Sequence, residues 1–214
     1  MGQTKMTYHG HSMFKIMSST GKSIVTDPYN EKIKSVLPDV SADIVTVSHD
    51  HFDHSNIGLV KGNPEVVKTK NKKTFEGIEI VGIDSYHDPQ KGKLRGKNII
   101  FMINVDDMVI THLGDLGHIP DDASLKVLAI TDILMIPVGG IYTINAREAY
   151  NLAGMMEPKV VIPMHYKEPD SKLDVDTVES FISLYDNYLN KGQAISVSKD
   201  TLPDALEVWV LESS

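Results

Sequence analysis

The chain has 214 residues, 41% hydrophobic and 23% charged, with 21 basic against 29 acidic side chains for a formal net charge of −8, nine histidines and no cysteine. At roughly 150 residues per domain this is a length for one domain, and a domain of that size buries on the order of 70% of its unfolded surface, so it needs no disulfide or metal merely to fold. The lack of cysteine excludes disulfides, thiolate metal sites and cysteine nucleophiles, and the acidic balance disfavours indiscriminate nucleic-acid binding.

Short β-branched runs come early. Candidate strands are Lys5–Tyr8, Met13–Met17, Ser23–Thr26, Ile44–Ser48, Glu65–Lys68, Ile78–Asp84, Asn98–Ile103 and Met108–His112. Turn residues separate them, as at Ser19–Gly21 and at Asp106–Asp107 between two apolar runs. A short helix is expected after His54, running to Val60. Strands follow at Ile133–Ile136, Lys159–Pro163, Ala194–Val197 and Leu206–Leu211. Asn145 is the expected N-cap of a helix over Ala146–Met156, with Glu148 as its capping-box partner and Pro158 just past the end. A second helix is expected from Asp174 or Asp176 through Leu189, because Val178, Phe181, Ile182, Leu184, Tyr185 and Tyr188 recur at helical spacing before Gly192. No repeat or flexible linker interrupts the pattern, so residues 1–214 read as one domain. Strands first, then strands alternating with helices, suit a layered α/β architecture with helices outside two packed sheets.

The N-terminal stretch Met1 to Tyr8 has no apolar core of signal-peptide length, and no run approaches the roughly 18 apolar residues of a membrane span. Ile130 to Val138 comes nearest and is broken by Thr131, Asp132 and Pro137. The expectation is a soluble cytoplasmic protein with no membrane partner.

The most informative segment is Val45-Thr-Val-Ser-His49-Asp-His51-Phe-Asp53-His54-Ser55, in which an apolar strand runs straight into His-x-His-x-Asp-His. In an extended chain residues i and i+2 project to the same side, so His49 and His51 can converge on one ion, with Asp53 at the next such step. His54 points differently as the chain turns and can serve a second ion. Five ionisable residues in six positions after a buried-type strand are hard to explain as core packing. Imidazole and carboxylate together suit zinc, manganese or iron rather than calcium or magnesium.

This signature resembles that of the metallo-β-lactamase superfamily, and the resemblance extends along nearly the whole chain. Ile24-Val-Thr-Asp27-Pro28 is similar to the strand and aspartate that precede the signature there, which implies that Asp27 orients a ligand and is not one itself. Ser85-Tyr86-His87, Thr111-His112-Leu113-Gly114-Asp115 and Val161-Ile-Pro-Met-His165-Tyr166 resemble the later motifs. The resemblance implies a four-layer αββα sandwich and two metal ions per chain, zinc first, with manganese or iron as alternatives. The first ion would take His49, His51 and His87, the second Asp53, His54 and His165, with Asp115 shared. Tyr8-His9-Gly10-His11-Ser12 and Pro137-Val-Gly-Gly140-Ile141-Tyr142-Thr143 are similar to a small branch of metal-dependent hydrolases that includes the ascorbate-phosphate lactonase. In that branch His11 would lie near the metals and touch substrate, and relatives often form homo-oligomers. His112 is expected to support the site without ligating, and His9 and His118 to be structural.

The reaction implied is hydrolysis by a metal-activated hydroxide, with Asp53 both ligating and taking a proton. This agrees with a chain that has no cysteine and no Gly-x-Ser-x-Gly elbow. Lys91, Lys93, Arg95 and Lys97 stand together without an intervening acid, so the segment could overhang the site and receive a phosphate or carboxylate. The expected substrate is a small anionic ester, such as a phosphorylated lactone or a phosphodiester, and not nucleic acid. Three alternatives fit less well. Oxygen-reducing di-iron relatives carry glutamate where this chain has His51, together with a flavin domain. Nucleases of the superfamily bring an added domain or arm. A non-catalytic metal sensor would not need the full ligand set.

Overall fold

Alternation of side chains along the strands divides the apolar residues into two clusters. Met6, Tyr8, Phe14, Ile16, Ile24 and Ile44 turn one way, into a large core shared with Ile80, Ile103, Ile110, Leu134 and Ile162. Their immediate neighbours Met13, Val25 and Val45 turn the other way and pack with Tyr29, Ile33, Val40 and Val60. The computed structural model of the protein, which describes residues 2–213, shows why: two sheets sandwich the larger core, and the smaller cluster lies on the outer face of the first sheet.

The first sheet has six strands in the spatial order Ala194–Val197, Thr4–Gly10, Met13–Met17, Ser23–Thr26, Ile44–Thr46, Glu65–Val67. The second has eight: Leu189–Lys191, Glu207–Leu211, Val160–Met164, Ile133–Pro137, Met108–His112, Lys97–Val105, Ile78–Tyr86, Lys73–Phe75. A small ladder joins Val40–Ser41 to Val60–Lys61. Ser23–Thr26, Ile44–Thr46 and Glu65–Val67 run parallel, as do Met108–His112, Ile133–Pro137 and Val160–Met164. The carboxyl ends of parallel strands form the natural crevice of such sheets, and Asp27, His49, Asp115 and His165 each follow one of these strands.

The α/β sandwich expected from the sequence is present. Its helices are α1 (Asp122–Leu128), α2 (Ala146–Met156) and α3 (Glu179–Ile182). Helix α2 begins at Asn145, whose side chain accepts from Glu148 N while Glu148 Oε2 accepts from Asn145 N. It buries Ala146, Ala149, Leu152, Ala153 and Met156, one apolar stripe, and stops at Glu157 in a left-handed conformation before Pro158. Helix α1 has no counterpart among the expected elements, although Asp121, accepting from Ser124 N at 2.8 Å, is an ordinary cap for it.

Two expected helices are corrected. The segment after His54 makes only a 3₁₀ turn over Ile57–Leu59, because Asn56 is tied back by Pro28 O and Tyr29 O and the chain then joins the ladder at Val60. The helix expected through Leu189 ends at Ile182. Leu189–Lys191 is instead drawn into the second sheet, pairing in parallel with Trp209, Val210 and Leu211. The helically spaced Phe181, Ile182, Leu184 and Tyr185 still pack on the core. Pairing with the sheet edge therefore outweighs local propensity. Asp106 and Asp107, with φ of 48° and 62°, close the tight hairpin between Lys97–Val105 and Met108–His112. No helix is long and apolar enough to cross a membrane.

Candidate metal centre

Three donor groups meet where the strand ends converge: His49, His51 and His87; His49, His54 and Asp115; and His11, Asp53, His54 and His165. Within each, the ligand atoms lie within 4.8 Å of one another. Asp115 is the hub. Its Oδ2 atom stands 3.0 Å from His87 Nε2, 3.1 Å from His54 Nε2, 3.3 Å from His165 Nε2 and 3.8 Å from His49 Nε2. All seven residues expected as ligands thus come together. His11, expected to lie near the metals and touch substrate, is buried within the second donor group, its Nε2 3.1 Å from His54 Nε2 and 3.3 Å from Asp53 Oδ2.

The backbone is bent to achieve this. His11, Asp27 and His165 have φ of 55°, 40° and 52°, left-handed values that cost about 1–2 kcal/mol apiece for residues with a Cβ. The strained turns brace one another, since His11 O accepts from both His165 N (2.8 Å) and Tyr8 Oη (3.0 Å). Gly114, at φ 55°, could carry no side chain, because a Cβ would strike the Asn98 amide and Ser48. Asn98 is buried against the hub, its Oδ1 accepting from Asp115 N and its Nδ2 donating to Leu113 O and Ser85 Oγ. Nothing in the sequence pattern singled out Asn98 or Ser48, because both stand in ordinary strand contexts.

A relay fixes which nitrogen each imidazole offers. The buried Asp27 carboxylate accepts from Ser48 N (2.8 Å), Ser48 Oγ (2.5 Å) and His54 Nδ1 (2.9 Å). Ser48 Oγ, having spent its proton on Asp27, accepts from His49 Nδ1 at 2.9 Å, and His87 Nδ1 donates to Tyr142 O at 3.1 Å. In all three rings the Nδ1 proton is thereby engaged and Nε2 faces the cluster, as metal-ligating histidines require. The expected part for Asp27, orienting ligands without being one, matches this geometry. His112 supports the same region, donating from Nε2 to Ser12 O at 2.9 Å while Nδ1 accepts from Gly114 N.

The electrostatics call for a cation. Burial, reinforced by neighbouring imidazoles, pushes His49 down to about 3 and His11 to about 4, so both are neutral and carry a free lone pair near pH 7. Burial works against a charged His54 as well, but Asp115, Asp27 and Asp53 outweigh it and drive that ring well above its usual range. Asp53 and Asp115 would both be raised by burial, yet the surrounding imidazoles hold them well below the usual carboxylate range. His49 Nε2 and Asp115 Oδ1 are buried without a hydrogen-bond partner among the described residues. Orphaned buried acceptors around ionised carboxylates are costly unless a cation satisfies them, so this donor set fits divalent metal.

The centre opens on one side into a cavity of about 320 Å3, with His51, Asp53, His87, Asp115 and His165 on its floor. Of the four cationic residues that follow His87, Arg95 reaches this cavity wall; Lys97, the first residue of the next strand, joins it only in an adjoining groove, and Lys91 lies beside Asp88 and His118. The Asp88 carboxylate shapes that loop. Burial would raise its pKa, but backbone N–H groups of Arg95, Gln90, Leu94 and Gly92 donate to it and hold it below 3.8. His118 is placed structurally, with Nε2 accepting from Tyr86 N.

A family model described as a β-lactamase superfamily domain matches residues 5–165. The chain belongs to this superfamily. A solved structure from Thermotoga maritima, proposed to be a Zn-dependent hydrolase of the metallo-β-lactamase superfamily, is 36% identical and superposes with a TM-score of 0.83, covering 99% of this chain and all of that one (100%). Among curated relatives, a UPF0173 metal-dependent hydrolase from Pelotomaculum thermopropionicum is 28% identical over 90% of this chain and 100% of its own length. Another from Caldivirga maquilingensis is 30% identical over 73% and 79%. The superfamily membership implied by the His49–His54 signature thus holds.

Proposed function

We propose that the protein is a metal-dependent hydrolase with a binuclear centre, zinc as its natural occupant, acting on a small anionic ester such as a phosphorylated lactone or a phosphodiester. The observation that carries this is the buried Asp115 carboxylate, one oxygen of which lies within 3.0–3.8 Å of four imidazole nitrogens drawn from three strand ends. His49, His51 and His87 would hold one ion, Asp53, His54 and His165 the other, with Asp115 between them; His11 adjoins the second group. The names of the relatives support the hydrolase class, and the imidazole–carboxylate donors support zinc.

Bound divalent ions supply Lewis acidity and lower the pKa of water toward about 7, which makes a nucleophile available at neutral pH. The chain's own groups do the rest. Asp27 and Ser48 hold His54 and His49 in the ligating tautomer. Asp53 stands on the cavity floor as an ionised carboxylate; its Oδ2 lies among His11 and His54 in the second donor group, which leaves Oδ1 to accept the proton of the attacking water and return it to the leaving oxygen. Arg95 places a fixed positive charge on the wall, where an anionic substrate needs it. A cavity of about 320 Å3 suits a small molecule rather than a polymer.

Elemental analysis of the purified protein beside His165→Ala tests the centre. The expected result is about two metals per chain, falling to about one in the variant. One metal or none, unchanged by the substitution, would refute the ligand assignment. At matched metal loading, Asp53→Asn should lower turnover by roughly 100-fold if its carboxylate moves a proton; equal turnover would leave Asp53 as a ligand only.

A further inference from the structure

The cavity floor is polar, but its walls are not. Phe52, Tyr142 and Leu173 line it together with Arg95. Phe52 and Tyr142 remain 49% and 37% exposed, although large aromatic side chains normally gain by burial. Each ring also carries a cation: Lys32 Nζ lies 5.2 Å from the Phe52 centroid, and the Arg95 guanidinium lies 5.7 Å from that of Tyr142. Arg95 donates from one terminal nitrogen to Ile141 O at 3.0 Å, which stacks it on the Tyr142 loop, and forms no ion pair among the described residues. The rest of its N–H fork is left for a ligand. The same loop supplies the Tyr142 carbonyl that anchors His87, so the aromatic wall is coupled rigidly to the metal floor.

We infer that the substrate is amphipathic: an aryl or branched alkyl group lies between Phe52, Tyr142 and Leu173, while an anionic oxygen pairs with Arg95. This rests on the hydrolase reading above and narrows its substrate class. A purely polar sugar phosphate would leave two exposed aromatic faces and Leu173 uncovered. An aryl or alkyl ester bearing a phosphate or carboxylate satisfies the apolar wall, the guanidinium and the floor together.

The test uses the zinc-loaded full-length protein and two phosphonates that cannot be hydrolysed, phenylphosphonate and methylphosphonate, with affinities measured by calorimetry. Wild type should bind the phenyl compound roughly tenfold more tightly, the gain expected from covering about one ring face. Phe52→Ala and Tyr142→Ser, the second keeping the backbone carbonyl that holds His87, should each reduce that preference to about threefold or less. Arg95→Lys, which keeps the charge and loses the fork, should weaken both phosphonates about fivefold or more. Lys93→Ala, which removes the same charge from an exposed site on the same loop, should change neither affinity. Equal binding of the two compounds by wild type, or a phenyl preference that survives loss of both rings, overturns the inference, as does an Arg95→Lys variant no weaker than Lys93→Ala. Hydrolysis of bis(4-nitrophenyl) phosphate or 4-nitrophenyl acetate by the same preparation reports separately on the hydrolase reading. Turnover without phenyl preference overturns the subsite alone; phenyl preference in a protein that turns over neither ester retains the subsite and overturns the hydrolase reading.

Discussion

Asp27 makes no direct approach to the ligand atoms at the centre, yet Asp27→Asn should disable it. The substitution preserves size and shape but turns one acceptor oxygen into an NH2 donor. With the amide oxygen kept toward Ser48 N, the new NH2 group faces both Ser48 Oγ and His54 Nδ1. Two donors cannot face each other, so His54 must give up its Nδ1 proton and keep the one on Nε2, the atom needed for the metal, and Ser48 Oγ must turn its proton toward His49 Nδ1, which shifts that ring's proton to Nε2 as well. Two of the three bonds made by the carboxylate are thus lost or inverted. At about 1.5–3 kcal/mol for each charge-assisted bond, less what hydroxyl rotation recovers, the metal-free protein should lose about 2–4 kcal/mol of stability. Metal affinity should fall on the order of 10–100-fold, as when an outer partner of a ligating histidine is removed. Urea unfolding of chelator-treated protein measures the first quantity, and zinc competition against a fluorescent chelator measures the second. A variant whose metal affinity stays within about twofold of wild type would refute the relay, whatever its stability, because the tautomer argument allows no such outcome.

Two further perturbations follow from the same geometry. Gly139→Ala places a Cβ against the carbonyl of His165 and close to Val175, with no flexible atom to yield, so overpacking should cost about 1–3 kcal/mol in urea unfolding and loosen the second donor group; a change below about 0.5 kcal/mol would mean that the His165 turn is not held as described. Asp106 accepts from Thr4 Oγ1, Ser19 N and Ser19 Oγ, tying its hairpin to the first sheet, and although burial opposes it these bonds hold its folded-state pKa below 3.8. A depressed carboxylate contributes its stability fully above the unfolded value and loses it as pH falls through the folded one. Wild type should therefore lose more stability than Asp106→Asn between pH 5 and pH 2, by no more than about 1 kcal/mol because the group is partly exposed. Parallel acid titrations of the two proteins would contradict this assignment.

Much of the architecture is legible in residue pattern. The strands Met13–Met17, Ser23–Thr26, Met108–His112 and Ala194–Val197 and the capped helix Ala146–Met156 fall where alternation and capping chemistry place them, because each is specified within its own few residues. The expected helix through Leu189 fails for the opposite reason: its second half is claimed by Trp209 to Leu211, which no local window contains. The proposed ligands are legible as residue types in order, since His-x-His-x-Asp-His alone supplies four of them.

The sequence by itself determines the donor chemistry: imidazoles and carboxylates after apolar strands, no thiolate, and a spacing that brings His49 and His51 to one side. Tertiary structure decides how those donors are used. It buries His11 beside Asp53 and His54, routes Asp27 through Ser48 to His49, and hangs Asp115 from the Asn98 amide. It also sets Phe52, Tyr142 and Arg95 around one opening, although they are remote in the chain. The physical reason is that a proton's position on an imidazole and the polarity of a cavity wall depend on which groups lie a hydrogen bond or a contact away. Those neighbours are chosen by sheet order and strand register, not by adjacency along the chain.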